Sequence, residues 1–208
     1  MSEAHLWQRW GEQHQLQALV FEPLFEESNR TRRMLAMVAH ALGEREIGVT
    51  ICCLPGTGES LTDIAGVSLA DWRAGAREGI AAIQPTIIAS LRGGVLVDDR
   101  GTAKGWWRFA PETGARIVRD LRRTQLAGES GLYAGHRLSD AFLTDLEAAT
   151  PAAVAPLRVA RLESDAGEAD IKLPGSPLWR RAEPGEDGEL AAAIAADLAE
   201  WTMTCAAF

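Results

Sequence analysis

Three cysteines, four histidines and no apolar run of bilayer length set the first limits on this chain of 208 residues. Cys52 and Cys53 are adjacent inside an apolar stretch and only Cys205 remains to pair with either, a usage that fits buried thiols in a reducing compartment. No hydrophobic stretch approaches the ~20 residues that span a bilayer. The N-terminal MSEAHLWQRWGEQHQ lacks the apolar core of a secretion signal. A cytoplasmic protein with no membrane span is therefore expected. Positive charge is in deficit as well: 21 Lys and Arg against 29 Asp and Glu give a net charge of −8, which argues against nucleic acid as a partner. Basic character is confined to two local clusters, Arg30, Arg32, Arg33 and Arg116, Arg119, Arg122, Arg123. Nothing in this composition calls for a metal or a cofactor.

What is present is globular. Apolar residues make up 47% and charged residues 24%, and the length suits a single domain over residues 1–208. Leu16 to Phe21 reads as a short buried strand, and Arg30 to Leu42 as a helix with Met34, Leu35, Val38 and Leu42 on one face. Gly48 to Leu54 is a β-branched apolar run of the kind covered on both faces, and it stops at Pro55-Gly56. Ser68 caps a helix through Leu69, Trp72, Ala76, Ile80 and Ile83 that Pro85 ends, and Thr86 to Leu91 is the next buried strand. A strand at Gly105 to Phe109, a basic helix from Thr113 to Leu126, a helix over Asp140 to Ala149 capped by Ser139 and a strand at Leu157 to Leu162 follow. The stretch from Glu163 to Glu189 reads as loop, and Leu190 to Met203 as a terminal amphipathic helix. Alternating strands and helices predict an α/β fold, a mainly parallel sheet with helices on both faces. Ligands of such sheets gather at the carboxyl ends of the strands, so the loops after Phe21, Leu54 and Leu91 are the places to look for chemistry.

Leu54 to Ser60 (LPGTGES) has the look of a phosphate-binding loop, but Glu59 stands where the lysine would be and Cys53 where the first glycine would be. The stretch from Ser90 to Gly94 (SLRGG) has the spacing of a nucleophile elbow, in which residues two before and two after the apex must be small. Ser90 and Gly94 are small, and the apex is then Arg92, flanked by Leu91 and Gly93, rather than a serine. Placing Ser90 at the apex would crowd the turn with Ile88 and Arg92. A serine hydrolase of this kind runs nucleophile, acid, histidine along the chain, yet no histidine follows His136. Because a guanidinium does not shed its charge, a buried Arg92 needs an anion, and Glu26 or Glu27 in the first loop can supply it.

Four segments, FEPLFEESNRTRR (Phe21 to Arg33), LPGTGES, SLRGG and WRFAPxxG (Trp107 to Gly114), together resemble the exosortase A system-associated hydrolases, a bacterial family linked to exopolysaccharide and protein-sorting loci. The resemblance extends to Leu173 through Trp179 (LPGSPLW) and implies an α/β-hydrolase fold, here with a reduced cap, and a setting in an export system. It does not supply a nucleophile.

Three readings follow. In the first, the fold lacks the usual triad, and Arg92 with Glu26, Glu27, Asn29, Leu91 and Gly93 forms a pocket for an anionic small molecule, an acyl or glycan acid among the candidates. The second is an esterase or thioesterase with a non-standard serine, Ser28, Ser60 or Ser90, and a carboxylate base raised by burial. In the third, the helix from Arg116 to Arg123 docks on a protein partner of an export system. Most of the seven tryptophans are expected in the core.

Overall fold

A computed structural model of the chain describes residues 7–125 and 131–207. His5 and the expected helix end at Leu126 lie outside the described residues. Seven strands form one sheet in the order β1 (Gln8–Trp10), β3 (Ile47–Ile51), β2 (Leu16–Phe21), β4 (Ile87–Leu91), β5 (Gly105–Phe109), β8 (Leu157–Leu162) and β9 (Ile171–Leu173). All neighbours are parallel except β1, which runs antiparallel to β3 with Gln8 opposite Ile51. A small hairpin, β6 (Leu132–Tyr133) and β7 (His136–Arg137), stands apart from the sheet.

The central strands are apolar on both sides because both sides are covered. Ala18 and Val20 of β2 face a core shared with α1 (Glu26–Gly43) and α5 (Gly188–Ala206), while Leu19 and Phe21 face a second core. That second core includes residues of α2 (Leu69–Ile83), α3 (Gly114–Arg123) and α4 (Asp140–Ala148). Trp72 and Trp107 are fully buried in these two layers. Ser68 starts α2 with a reciprocal cap: its hydroxyl accepts from the Asp71 N–H, and the Asp71 carboxylate accepts from the Ser68 N–H at 2.8 Å.

Three boundaries differ from the sequence reading. The first helix begins at Glu26 rather than Arg30, so Glu26, Glu27, Ser28 and Asn29 occupy its first turns instead of a loop; two acids beside the positive helix end favour that start. The strand expected over Gly48 to Leu54 closes at Ile51. Within the stretch read as loop, Ile171–Leu173 adds an edge strand beside β8. The chain goes from β2 to β3 on one side and then returns to β4 on the other, so the crevice of the sheet opens above the ends of β2 and β4.

Candidate functional site

At the end of β4 the chain turns sharply into a short helical stretch, Arg92–Leu96. Arg92 takes φ 52°, a left-handed conformation that side chains with a Cβ rarely adopt. Gly94 is dictated by the crossing of the turn over β2: a Cβ there would lie 2.5 Å from the Phe21 carbonyl oxygen and 2.8 Å from that of Glu22. These features are those of a nucleophile elbow with Arg92 at its apex.

The Arg92 side chain is buried, and carboxylates surround it. Its Nε donates to Glu27 Oε2 at 3.1 Å and its Nη2 to Glu27 Oε1 at 3.0 Å, a two-pronged pair. Its Nη1 donates to Glu112 Oε2 at 3.2 Å, with the Ala110 carbonyl oxygen at 3.5 Å. The guanidinium also lies over the Trp179 ring, 4.8 Å from its centroid. Burial works against the charge, but Glu27 and then Glu112 outweigh it, and the pKa of Arg92 is raised. Glu112 accepts as well from the Thr113 N–H at 3.2 Å and pairs with Arg116 Nε at 3.3 Å.

A cavity of about 300 Å³ opens above Arg92. Leu24, Phe25, Ile117, Leu121, Ala134 and Trp179 give it an apolar wall, Arg30, Arg116 and Arg180 bring guanidinium groups to it, and Glu26, Glu27, Glu112 and Asp120 bring carboxylates. Arg30 donates to the Trp179 carbonyl at 2.9 Å, which ties α1 to the loop that carries the indole. Backbone strain is concentrated here. Of the six non-glycine residues with positive φ among the described residues, Phe25, Arg92 and Ala134 line the cavity and Ala110 accepts from Arg92. Such conformations persist where surrounding structure holds them, and they cluster at binding sites.

The other sequence candidates are distributed differently. Glu27, not Glu26, pairs with Arg92; one helical residue rotates the side chain by about 100°, so Glu26 points to the hairpin and lies 3.6 Å from His136 Nε2. Asn29 and Ser28 line a neighbouring cavity together with His136 and Cys53. Leu91 is packed in the core, and Gly93 is buried with the Leu24 and Ile117 side chains against it, so neither faces the Arg92 cavity. Ser90 is fully buried beneath the turn, near the Asp98 carboxylate that Arg108 holds at 2.7 and 2.8 Å, and its hydroxyl forms no hydrogen bond of ordinary geometry. Ser60 Oγ accepts from the N–H groups of Gly56 and Thr62 and holds a turn. On α3, Arg116 pairs with Glu112, Arg122 with Glu147 and Arg123 with Asp120, so most of its positive charge is engaged within the chain.

Glu112 and Trp179 are the residues that sequence reasoning passed over. Both lie inside stretches that had already drawn notice, WRFAPxxG and LPGSPLW, but only chain closure brings them within reach of Arg92. Among the described residues no cluster of His, Cys, Asp or Glu suits a metal ion, and no helix is long and apolar enough to cross a membrane.

The sheet order, its one antiparallel edge and the elbow after β4 define an α/β-hydrolase fold. No protein-family model matches the chain, and no curated protein matches it. Solved structures do. Est1E from Butyrivibrio proteoclasticus, with ferulic acid bound, is 12% identical and superposes with a TM-score of 0.66 over 97% of this chain and 96% of that one. The α/β-hydrolase domain-containing protein 10 from mouse is 10% identical, with a TM-score of 0.64 over 98% and 97%. The esterase domain of a Rhodothermus marinus protein is 15% identical, with a TM-score of 0.54 over 91% and 87%. At these identities the likeness establishes the fold.

Proposed function

We propose that the protein is a non-catalytic member of the α/β-hydrolase fold that binds an anionic small molecule with an apolar body in the cavity above Arg92. The observation that carries this reading is the occupation of the elbow apex by a buried arginine whose charge is met by Glu27 and Glu112. A guanidinium cannot act as a nucleophile at neutral pH, and here its donors are committed. Hydrolases of this fold carry nucleophile, acid and histidine in that chain order; here the apex is Arg92, and Glu112 and Trp179 are the later residues in contact with it.

Arg92 holds the site rather than meeting the ligand. Because Glu27 and Glu112 already compensate it, an incoming anion is received by Arg30, Arg180 and the half-exposed Arg116, which shares Glu112 with Arg92, while Leu24, Phe25, Ile117 and Leu121 take its apolar part. The resemblance of four sequence segments to the exosortase A system-associated hydrolases supports a setting in a polysaccharide or protein export system, where an acyl or glycan acid would be a fitting ligand.

The test has two arms. A panel of p-nitrophenyl esters should show no turnover above background, and a fluorophosphonate probe should label none of Ser28, Ser60 and Ser90. Labelling of Ser28, which lies against the half-buried Glu22 carboxyl, would replace this reading with an esterase. In calorimetry, 1-naphthoate should bind at least about tenfold more tightly than neutral 1-naphthalenemethanol, and Arg116→Ala should erase the difference. Equal binding of the two compounds would refute the anion site.

A further inference from the structure

A second cavity, of about 260 Å³, opens on the other side of Leu24 and Phe25, over the carboxyl ends of β2 and β3. Glu22 and Cys53 share one corner of it: the space left by Gly58 is 3.1 Å from Cys53 Sγ and 4.0 Å from Glu22 Oε1. Ser28, Asn29 and Arg32 of α1 form one wall, and His136 lines the cavity as well.

Glu22 is half-buried, and it differs from the buried carboxylates of the chain in having no cation beside it. Glu112, Asp98 and Asp197 each meet an arginine at 2.5 to 3.2 Å. Glu22 meets no cation within 4.0 Å among the described residues. The arginine that enters its cavity, Arg32, is bound instead to Glu59 at 2.7 Å, and both of those side chains are about half exposed. His136 lies toward Glu26. A carboxylate taken out of water without a cation is costly, and a positive charge delivered beside it recovers much of that cost.

We propose that this second cavity binds a small organic cation, a primary ammonium on a single-ring apolar body, with the ammonium against the Glu22 carboxylate. Ser28 lies beside Glu22, and the cavity lining adds the oxygen acceptors of Asn29 and Thr57 and the aromatic ring of Phe25. The volume corresponds to about nine waters at roughly 30 Å³ each, enough for one ring and a short arm. Burial raises the pKa of Glu22, with Ser28 and more distant Arg32 offsetting part of the rise. Cys53 is not a competing anion, since burial raises its thiol pKa too. The site is separate from the Arg92 cavity, with Leu24 and Phe25 standing between the two.

The experiment is calorimetry with benzylamine, charged at neutral pH, against benzyl alcohol, its uncharged analogue of similar shape. Benzylamine should bind at least about tenfold more tightly, and Glu22→Gln should bring the two together. Arg32→Gln, a change at the exposed rim, should tighten benzylamine several-fold by removing a like charge and releasing Glu59. Equal affinity for the two compounds, no saturation by ~10 mM benzylamine, or an unchanged affinity in Glu22→Gln would each overturn the proposal. Arg116→Ala should leave benzylamine binding unaltered, so failure here and failure of the anion site are read separately.

Discussion

Arg92 and Glu27 meet prong to prong, with Nε to Oε2 at 3.1 Å and Nη2 to Oε1 at 3.0 Å, so the apex of the elbow is fastened to the first turn of α1. The same guanidinium reaches Glu112 beyond β5, and three segments far apart in the chain are joined at one side chain. Arg92→Met should therefore cost about 3–5 kcal/mol in urea unfolding, because it leaves Glu27 without its cation and the buried Glu112 with only the half-exposed Arg116. Adding Glu27→Gln and Glu112→Gln to that variant should recover most of the loss. Additive destabilisation by the three changes would show that the charges are not coupled.

How much of this was legible beforehand depends on how local the signal is. Leu16–Phe21 and Leu157–Leu162 are strands with the ends expected of them, because each is a six-residue stretch with clear limits. The capped start of α2 at Ser68 is visible in the sequence for the same reason. The small residues Ser90 and Gly94 identify the elbow, since its steric demand falls at fixed spacing. By contrast, Gln8–Trp10 and Ile171–Leu173 are three-residue edge strands, too short to display a period, and they become strands through their neighbours. The partners Glu112 and Trp179 lie 20 and 87 positions from Arg92, a proximity that no local pattern encodes.

The closest backbone approach at the site yields the second prediction. A methyl group at Gly94 would overlap the carbonyl oxygens of Phe21 and Glu22, both main-chain atoms at the end of a central strand, so nothing flexible can move aside. Gly94→Ala should destabilise the fold by about 1–3 kcal/mol. Gly43→Ala is the control: no atom lies within 4 Å of its added Cβ, and it sits at a helix end, where the effect should be within about 0.5 kcal/mol of zero. A harmless Gly94→Ala would mean that β4 does not turn across β2 as described.

The three thiols give a third. Cys52, Cys53 and Cys205 are all free and buried, and burial first, then the neighbouring Cys53 and Glu22, pushes the Cys52 thiol up to about 12. Thiolate is the reactive form, so iodoacetamide at pH 8 should modify the folded protein slowly at all three sites and rapidly once urea unfolds it. Fast labelling of Cys53 in the folded state would show that its thiol is not raised by the surroundings of the second cavity.

The last prediction concerns the pH dependence carried by Glu22. Its pKa is raised above the ordinary value of 4.5, chiefly by burial, so the folded chain holds this proton more tightly than the unfolded chain does. Stability then falls as pH rises from about 4.5 through the raised value, the opposite of what a salt-bridged carboxylate gives. Glu22→Gln removes that titration while retaining a polar group beside Ser28. The variant and the parent should be nearly equal in stability at pH 4, and the variant should gain steadily on the parent as pH rises to neutral. Groups common to both proteins cancel in the difference, so denaturant curves at matched pH isolate this one carboxyl. A variant that is less stable at pH 7 than the parent would mean that Glu22 is ionised and well compensated in the folded chain, and the vacancy beside it that invites a cation would not exist.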